Sequence, residues 1–507
     1  MAQGQLPFQY EEDGRESGMT ALGGLPVYMD LAQVIGLGRG IERHLHVREG
    51  GQGWSDAQVV MSVVLLNLAG GECVEDLRVV EGDEGFCRVM RRVELKGMKR
   101  RQRRELERRW RKERRRTVPS PSSVFRYLES FHDEEQEKLR EKGKAFIPAI
   151  NEHLRGFCAV NKELVGFAQR HNPQETATLD TDATLVETHK ADALWCYKHF
   201  KSYQPLNVWW AEHGMMLHTE FRDGNVPAGY EQLRVLQEAL EVLPEGVKRV
   251  RMRSDTAGYQ HDLLRWCDQG KSERFGRIEF AVGCDVTAQF KAAVAEVSEG
   301  DWTALYVDRD GQRVKTDCQW AEVCFVPNEI GHSNKGPVYR YMATREPLKQ
   351  LDLPGMEVQR SLPFPTMQLR GQGYKVFGIA TNMDWDGQEL IPWLYKRCGK
   401  SEEAHSVMKE DMAGGRMPSG KFGENAAWWW MMVLSLNLNA VMKGLVLGGS
   451  WVKRRMKAVR FHLINLPGRV LERSRRLIIK LSKGHPSLRM LLDARARINE
   501  LALEPSG

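Results

Sequence analysis

Three carboxylates and one helical stripe are the residues of this chain whose types and spacing could do chemistry together. Asp182 lies in Leu179-Asp-Thr-Asp-Ala-Thr184, Asp255 in Arg253-Ser-Asp-Thr-Ala-Gly258, and Glu402 between Tyr395 and Lys409. Tyr395, Glu402 and Lys409 stand seven apart, almost two helical turns, so a helix presents all three on one face. Taken alone, such a stripe more often marks a solvated helix face. It gains weight because two aspartates at strand ends precede it, far away in sequence, and only a fold can gather all three. Converging carboxylates repel one another and raise a pKa unless a cation neutralises them. An all-oxygen donor set favours Mg2+ or Mn2+. Two such ions about 4 Å apart suit in-line displacement at phosphorus.

The elements that must position these groups emerge from patterning. Ala177 to Val186 alternates and is rich in Thr and Val, which predicts a strand. Asp180 and Asp182 are two apart on it and share a face. Asp180 is read first as a strand-end hydrogen-bonding residue and second as a ligand. Val208–Ala211 and Met215–Phe221 predict two further strands joined at His213-Gly214, Tyr230–Leu243 an amphipathic helix, and Lys248–Ser254 a strand that delivers Asp255 to a turn. A helix over Gln260–Trp266, strands at Ile278–Gly283 and Val376–Thr381, and a helix from Trp385 to Met412 complete a mixed α/β sheet. Ligands of open α/β sheets gather at such strand ends. The alternative for Asp255 is a turn residue capping the next helix.

Length and composition bound the rest. The chain has 507 residues, 42% hydrophobic and 28% charged, with net charge +7, enough for several domains and a large core. The polar, acidic start, without an apolar signal core, and the want of a long uncharged apolar run predict a cytoplasmic protein with no membrane partner. Nine scattered cysteines with no C-x2-C pair read as reduced structural thiols. The positive charge is uneven. Lys96 to Arg116, including Lys99, Arg100 and Arg101, is dense in Lys and Arg, and a second basic stretch runs from Lys453 to Lys483. Either is a solvated face or the footprint of a nucleic-acid binder. Pro121 opens a short helix carrying Arg126, which reads equally as a helix-turn-helix element or a plain connection. Trp428-Trp429-Trp430, within an almost wholly apolar helix, reads as core. Helices are expected from Val452 to Lys480.

These residues carry a resemblance. Tyr395, Glu402 and Lys409 hold the spacing of the Y-x2-R-x3-E-x6-K signature of DDE transposases of bacterial insertion sequences; Cys398 stands at the usual arginine position, with Arg397 one residue earlier. Leu179–Thr184 and Arg253–Gly258 resemble that family's aspartate motifs, and Tyr197–Leu206, Asp223–Asn225 and Pro119–Arg126 resemble its connecting segments. The resemblance covers roughly residues 25 to 490. It implies a ribonuclease-H-like catalytic core interrupted by an inserted β-rich domain, with helical regions at either end. The expected divisions are a disordered 1–25, a helical DNA-binding region at 26–165, core at 170–286, inserted β domain at 287–372, core again at 373–447, and a basic helical 448–507. It implies Asp182, Asp255 and Glu402 as the catalytic, metal-binding triad with two Mg2+ or Mn2+ ions. Tyr395, Arg397 and Lys409 would contact DNA phosphates, joined by Lys99, Arg100, Arg101 and Arg126 in the N-terminal region. The implied partners are duplex DNA (terminal inverted repeats and target) and a second copy of the chain in the synaptic complex. A DNA-binding descendant that no longer cuts is the alternative; an Arg-rich RNA binder is a weaker one, lacking RNP-type aromatics.

Overall fold

The structure is a computed structural model. It describes residues 17–48, 53–96, 98–104, 116–141, 143–309, 311–327, 339–348, 364–474 and 476–503, without the side chains of 398–402.

A short strand, β1 (Met19–Thr20), precedes the helices α1 (Pro26–Ile35), α2 (Leu37–His44), α3 (Asp56–Ala69), α4 (Glu84–Glu94), α5 (Pro121–Leu128) and α6 (Glu152–His171). Local chemistry fixes their ends. Ser55 and Gln58 form a reciprocal capping box at α3, which satisfies two backbone N–H groups that a helix start leaves orphaned. Asn151 caps α6 and Ser120 caps α5.

The sheet strands come next: β2 (Thr176–Ala183), β3 (Leu206–Trp210), β4 (Met215–Glu220), then α7 (Gln232–Val242), β5 (Arg249–Ser254), α8 (His261–Asp268) and β6 (Glu279–Cys284). Beyond these lie β7 (Thr303–Arg309), β8 (Gln312–Val323), β9 (Arg340–Pro347) and β10 (Gln372–Thr381). All belong to one ten-stranded sheet, in the order β7-β8-β9-β10-β6-β5-β2-β3-β4, with Thr366–Leu369 pairing to β10. β2, β5 and β6 run parallel and the other pairs antiparallel. Parallel neighbours need a crossover, and α8 supplies the one between β5 and β6.

This is the mixed α/β class expected. The strands within 287–372 extend the core sheet itself: β10 pairs with β6 through Gly378↔Cys284 to Thr381↔Ala281, so the β-rich segment and the core share one hydrogen-bonded framework.

α9 (Gly387–Ser406) crosses the sheet and continues into a π-helical turn, Val407–Asp411. α10 (Phe422–Val441) is enclosed by α3, α6 and β4. Together with the turn that succeeds it, at Phe422–Leu447, it is the one described helix long and apolar enough to cross a membrane, yet the protein surrounds it. Trp428 and Trp429 are fully buried, and their indole N–H groups donate to the Ala413 carbonyl (3.1 Å) and the Thr219 hydroxyl (3.0 Å). The tryptophan triplet is core, as its setting implied.

Two expectations are corrected. Residues 468–480 form not a helix but an antiparallel hairpin, β11 (Gly468–Arg473) and β12 (Arg476–Lys480). Leu466, Val470, Leu471, Leu477 and Ile478 satisfy helical spacing, but Gly468 opens the segment and Ser474 takes φ 49° at the turn, and β-branched residues favour the strand. Part of the segment expected to be disordered is ordered, because β1 pairs with β11 through Met19↔Arg469 and Thr20↔Gly468; residues 1–16 lie outside the described residues. The chain closes with α11 (Ser487–Leu503), which packs on α1.

Candidate active site

β2 and β5 are parallel neighbours in the register Asp180↔Arg253 and Thr181↔Ser254. Asp182 and Asp255 each come directly after the last of these pairs, so the two carboxylates leave adjacent strands at the same end of the sheet. Asp255 turns the chain: its Oδ1 accepts from the Ala257 backbone N–H at 3.0 Å and caps the short helical turn Thr256–Gly258. The cap read as an alternative for Asp255 therefore exists, and it leaves the second carboxylate oxygen uncommitted by that bond. Gly258 is required there, since a Cβ would stand 2.3 Å from the Ser254 side chain.

Asp182 is mostly buried and carries the clearest electrostatic signature. Burial raises its carboxyl, the Arg397 guanidinium pulls it back down, and the Asp255 carboxylate pushes it up again, leaving it at about 6. Arg397 Nη1 donates to Asp182 Oδ2 at 3.0 Å, and the arginine side chain is only 8% exposed. The residue expected at DNA phosphates thus lies against the first aspartate.

Asp180 is held differently. Arg253 donates to both its oxygens, from Nε at 2.6 Å and Nη2 at 2.8 Å, and from Nη1 to the Trp393 carbonyl at 2.6 Å. The Arg253 guanidinium also stacks on the Trp393 ring at 4.9 Å. A carboxylate so fully engaged positions the strand and α9 relative to each other, which favours the hydrogen-bonding role for Asp180. Burial raises its pKa against the pull of Arg253. Trp393 is not singled out by any motif, and Arg253 stands in the second aspartate motif without a role assigned to it, although alternation of Arg249, Arg251 and Arg253 along one strand puts three cations on one face.

α9 packs against β2, β5 and β6. Near its middle the Tyr395 hydroxyl meets the Thr344 hydroxyl of β9 at 3.1 Å, and beyond its end Lys409 Nζ donates to the Leu185 carbonyl just past β2 at 3.4 Å. The helix lies across the sheet, with the Trp393 carbonyl at Arg253 of β5 and Arg397 at Asp182 of β2; the side chains of Glu402 and Cys398 lie outside the described residues. The π-helical turn at Val407–Asp411, which the heptad spacing could not reveal, rotates Lys409 away from the ideal stripe. Next to it, burial with Lys409 and Arg397 holds His405 down at about 4, a neutral imidazole. His189 is exposed. Lys99, Arg100, Arg101 and Arg126 are exposed on the helical region, outside this cluster. Among the described residues no three His, Cys, Asp or Glu gather in metal-holding geometry.

Comparison with known proteins adds a family. The family model described as "Transposase DDE domain group 1" matches residues 5–327 and 367–503. Among solved structures, the chain is similar to the piggyBac transposase in a synaptic complex with hairpin DNA, with TM-score 0.42 and 11% identity over 94% of this chain and 85% of that one. No curated protein matches by sequence.

Proposed function

The chain belongs to the DDE transposases of group 1, and we propose that it cuts the ends of its own insertion sequence and joins them to target DNA with Asp182, Asp255 and Glu402 as its catalytic carboxylates. One observation carries the assignment. Asp182 and Asp255 leave neighbouring parallel strands side by side, close enough for one charge to raise the pKa of the other.

The residues present fit a divalent cation. Two carboxylates that repel each other are a site whose strain a cation relieves, and their all-oxygen character suits Mg2+ or Mn2+. Asp182, Asp255 and, from α9, Glu402 would hold it. When bound, such ions stabilise charge on the attacking and leaving oxygens of an in-line displacement at phosphorus. The chain's own residues do the rest. Asp180, locked to Arg253, fixes the height of β2 against α9. Gly258 lets the chain turn tightly behind Asp255. Lys409, in the π-helical turn beyond α9, carries positive charge on the side of the site next to Leu185, where a phosphate backbone would be drawn in. Such a contact supplies position and affinity rather than sequence reading.

The test is cleavage of a labelled duplex carrying the element's ends, with Mg2+ and then with EDTA. Metal-dependent cutting at the ends that falls by about a thousandfold or more in Asp255→Asn and Glu402→Ala, roughly 4 kcal/mol of lost transition-state stabilisation, is the expected result. Cutting that persists in both variants sinks the assignment. Binding without cutting under any divalent ion identifies a silent DNA-binding descendant instead.

A further inference from the structure

The hairpin β11–β12 carries an arrangement that its own folding does not favour. Its register pairs Arg469 with Lys480, Leu471 with Ile478 and Arg473 with Arg476. Directly opposed residues of an antiparallel pair point to the same face, so one face of this ribbon carries two like-charged pairs with an apolar pair between them. All four cations are exposed, and Ile478 is 36% exposed. Like charges placed directly opposite each other destabilise a sheet. The other face behaves normally: Val470 is fully buried, and Glu472 faces Arg92 of α4 at 3.8 Å. The acid of the ribbon is thus turned away from the cationic face and towards the helix that leads into the basic run starting at Lys96.

We infer that this ribbon face is a second DNA contact, remote in sequence from the carboxylate motifs, that grips the phosphate backbone of a duplex across a groove. The inference rests on the transposase reading and specifies a partner surface for it. Arg469 and Arg473 are four residues apart on one strand, about 13 Å, and a B-DNA major groove is about 12 Å wide and admits a two-stranded β-ribbon. The two cationic pairs then fall near the phosphate lines on either side, with Leu471 and Ile478 facing the groove between them. A polyanion relieves the repulsion within each pair, which makes the duplex the fitting occupant on charge. Lys99, Arg100 and Arg101, which follow α4 in the sequence, are likewise exposed.

The test uses the full chain in EDTA, so that nothing is cut, and a 30-base-pair duplex as probe. The double variant Arg473→Gln/Lys480→Gln removes one charge from each pair. Expected are a log–log salt dependence of binding shallower by about 1.8, at about 0.9 per lost phosphate contact, and a melting temperature of the free protein that is unchanged or higher. The charge-keeping variant Arg473→Lys/Lys480→Arg should restore the slope. An unchanged slope in the Gln variant, or an equal loss in the charge-keeping one, overturns the inference while leaving the transposase reading intact. Failure of the unaltered chain to bind duplex DNA at all overturns both.

Discussion

Arg397 Nη1 stands 3.0 Å from Asp182 Oδ2, with both side chains largely withdrawn from water. The arginine supplies, from within the protein, the positive charge that this carboxylate needs, and any divalent cation entering the site must compete with it. Replacing it leaves Asp182 buried beside Asp255 with no countercharge. Arg397→Ala should therefore move the Asp182 carboxyl upward by about one unit or more. The check is the pH midpoint of Mn2+ affinity, monitored by electron paramagnetic resonance, which should shift to higher pH. A midpoint that stays in place means that the ion pair does not set the charge state of Asp182.

In the unaltered protein the same carboxyl sits at about 6, above the ordinary value of about 3.9. A proton and a cation compete for it, so Mn2+ or Mg2+ affinity should fall about tenfold per pH unit below the midpoint and level off above it. Without metal the sign for stability is the reverse. The folded state holds this proton more tightly than the unfolded one, so stability declines as pH rises from about 4 to about 6, by on the order of 3 kcal/mol. Urea unfolding of the metal-free protein across that window, compared with Asp182→Asn, isolates the slope.

Arg253 and Asp180 form a buried, bidentate pair joined to Trp393. Removing one member strands the other's charge, and Arg253→Ala should cost about 3–5 kcal/mol. Arg253→Met with Asp180→Leu, which removes both charges, should recover much of that loss in denaturant titrations while cleavage stays impaired, because α9 loses its tether to β2. Recovery of both stability and cleavage would show that the pair does not position the helix.

His218 is buried and donates from Nε2 to Glu238 Oε2 at 3.0 Å. Burial alone would lower its pKa, but hydrogen bonds to Cys158 and Glu238 outweigh it and raise the imidazole to about 9. A raised histidine contributes stability that is complete below its ordinary value of about 6.5 and is lost as pH climbs towards 9. Melting temperature should fall across that interval by the equivalent of about 3 kcal/mol, and Glu238→Gln should flatten the dependence.

What sequence can and cannot deliver divides along local and non-local lines. The strand ends bearing Asp182 and Asp255 are legible because alternation ending in a turn is a local signal. Their side-by-side placement is not, since the Thr181↔Ser254 register is a property of the sheet. The helix carrying Tyr395, Glu402 and Lys409 is legible from periodicity. Its rotation is not: packing turns Arg397 inward to Asp182, and a π-helical turn displaces Lys409. The hairpin at 468–480 reads as helix because its apolar residues fit both a period of 3.6 and a two-stranded ribbon, and the strand β1 that completes its sheet lies at the other end of the chain.

That last pairing has a consequence for biosynthesis. Arg469 donates to the Ser17 carbonyl across 452 residues of sequence, and β1 cannot pair until β11 has left the ribosome. Contacts of such separation form late. A nascent or truncated chain can build most of the sheet that bears the aspartates while lacking the clasp between its two ends. On the proposed reading, prematurely terminated products would carry the carboxylates without this second contact, and would hold DNA less tightly than the full chain.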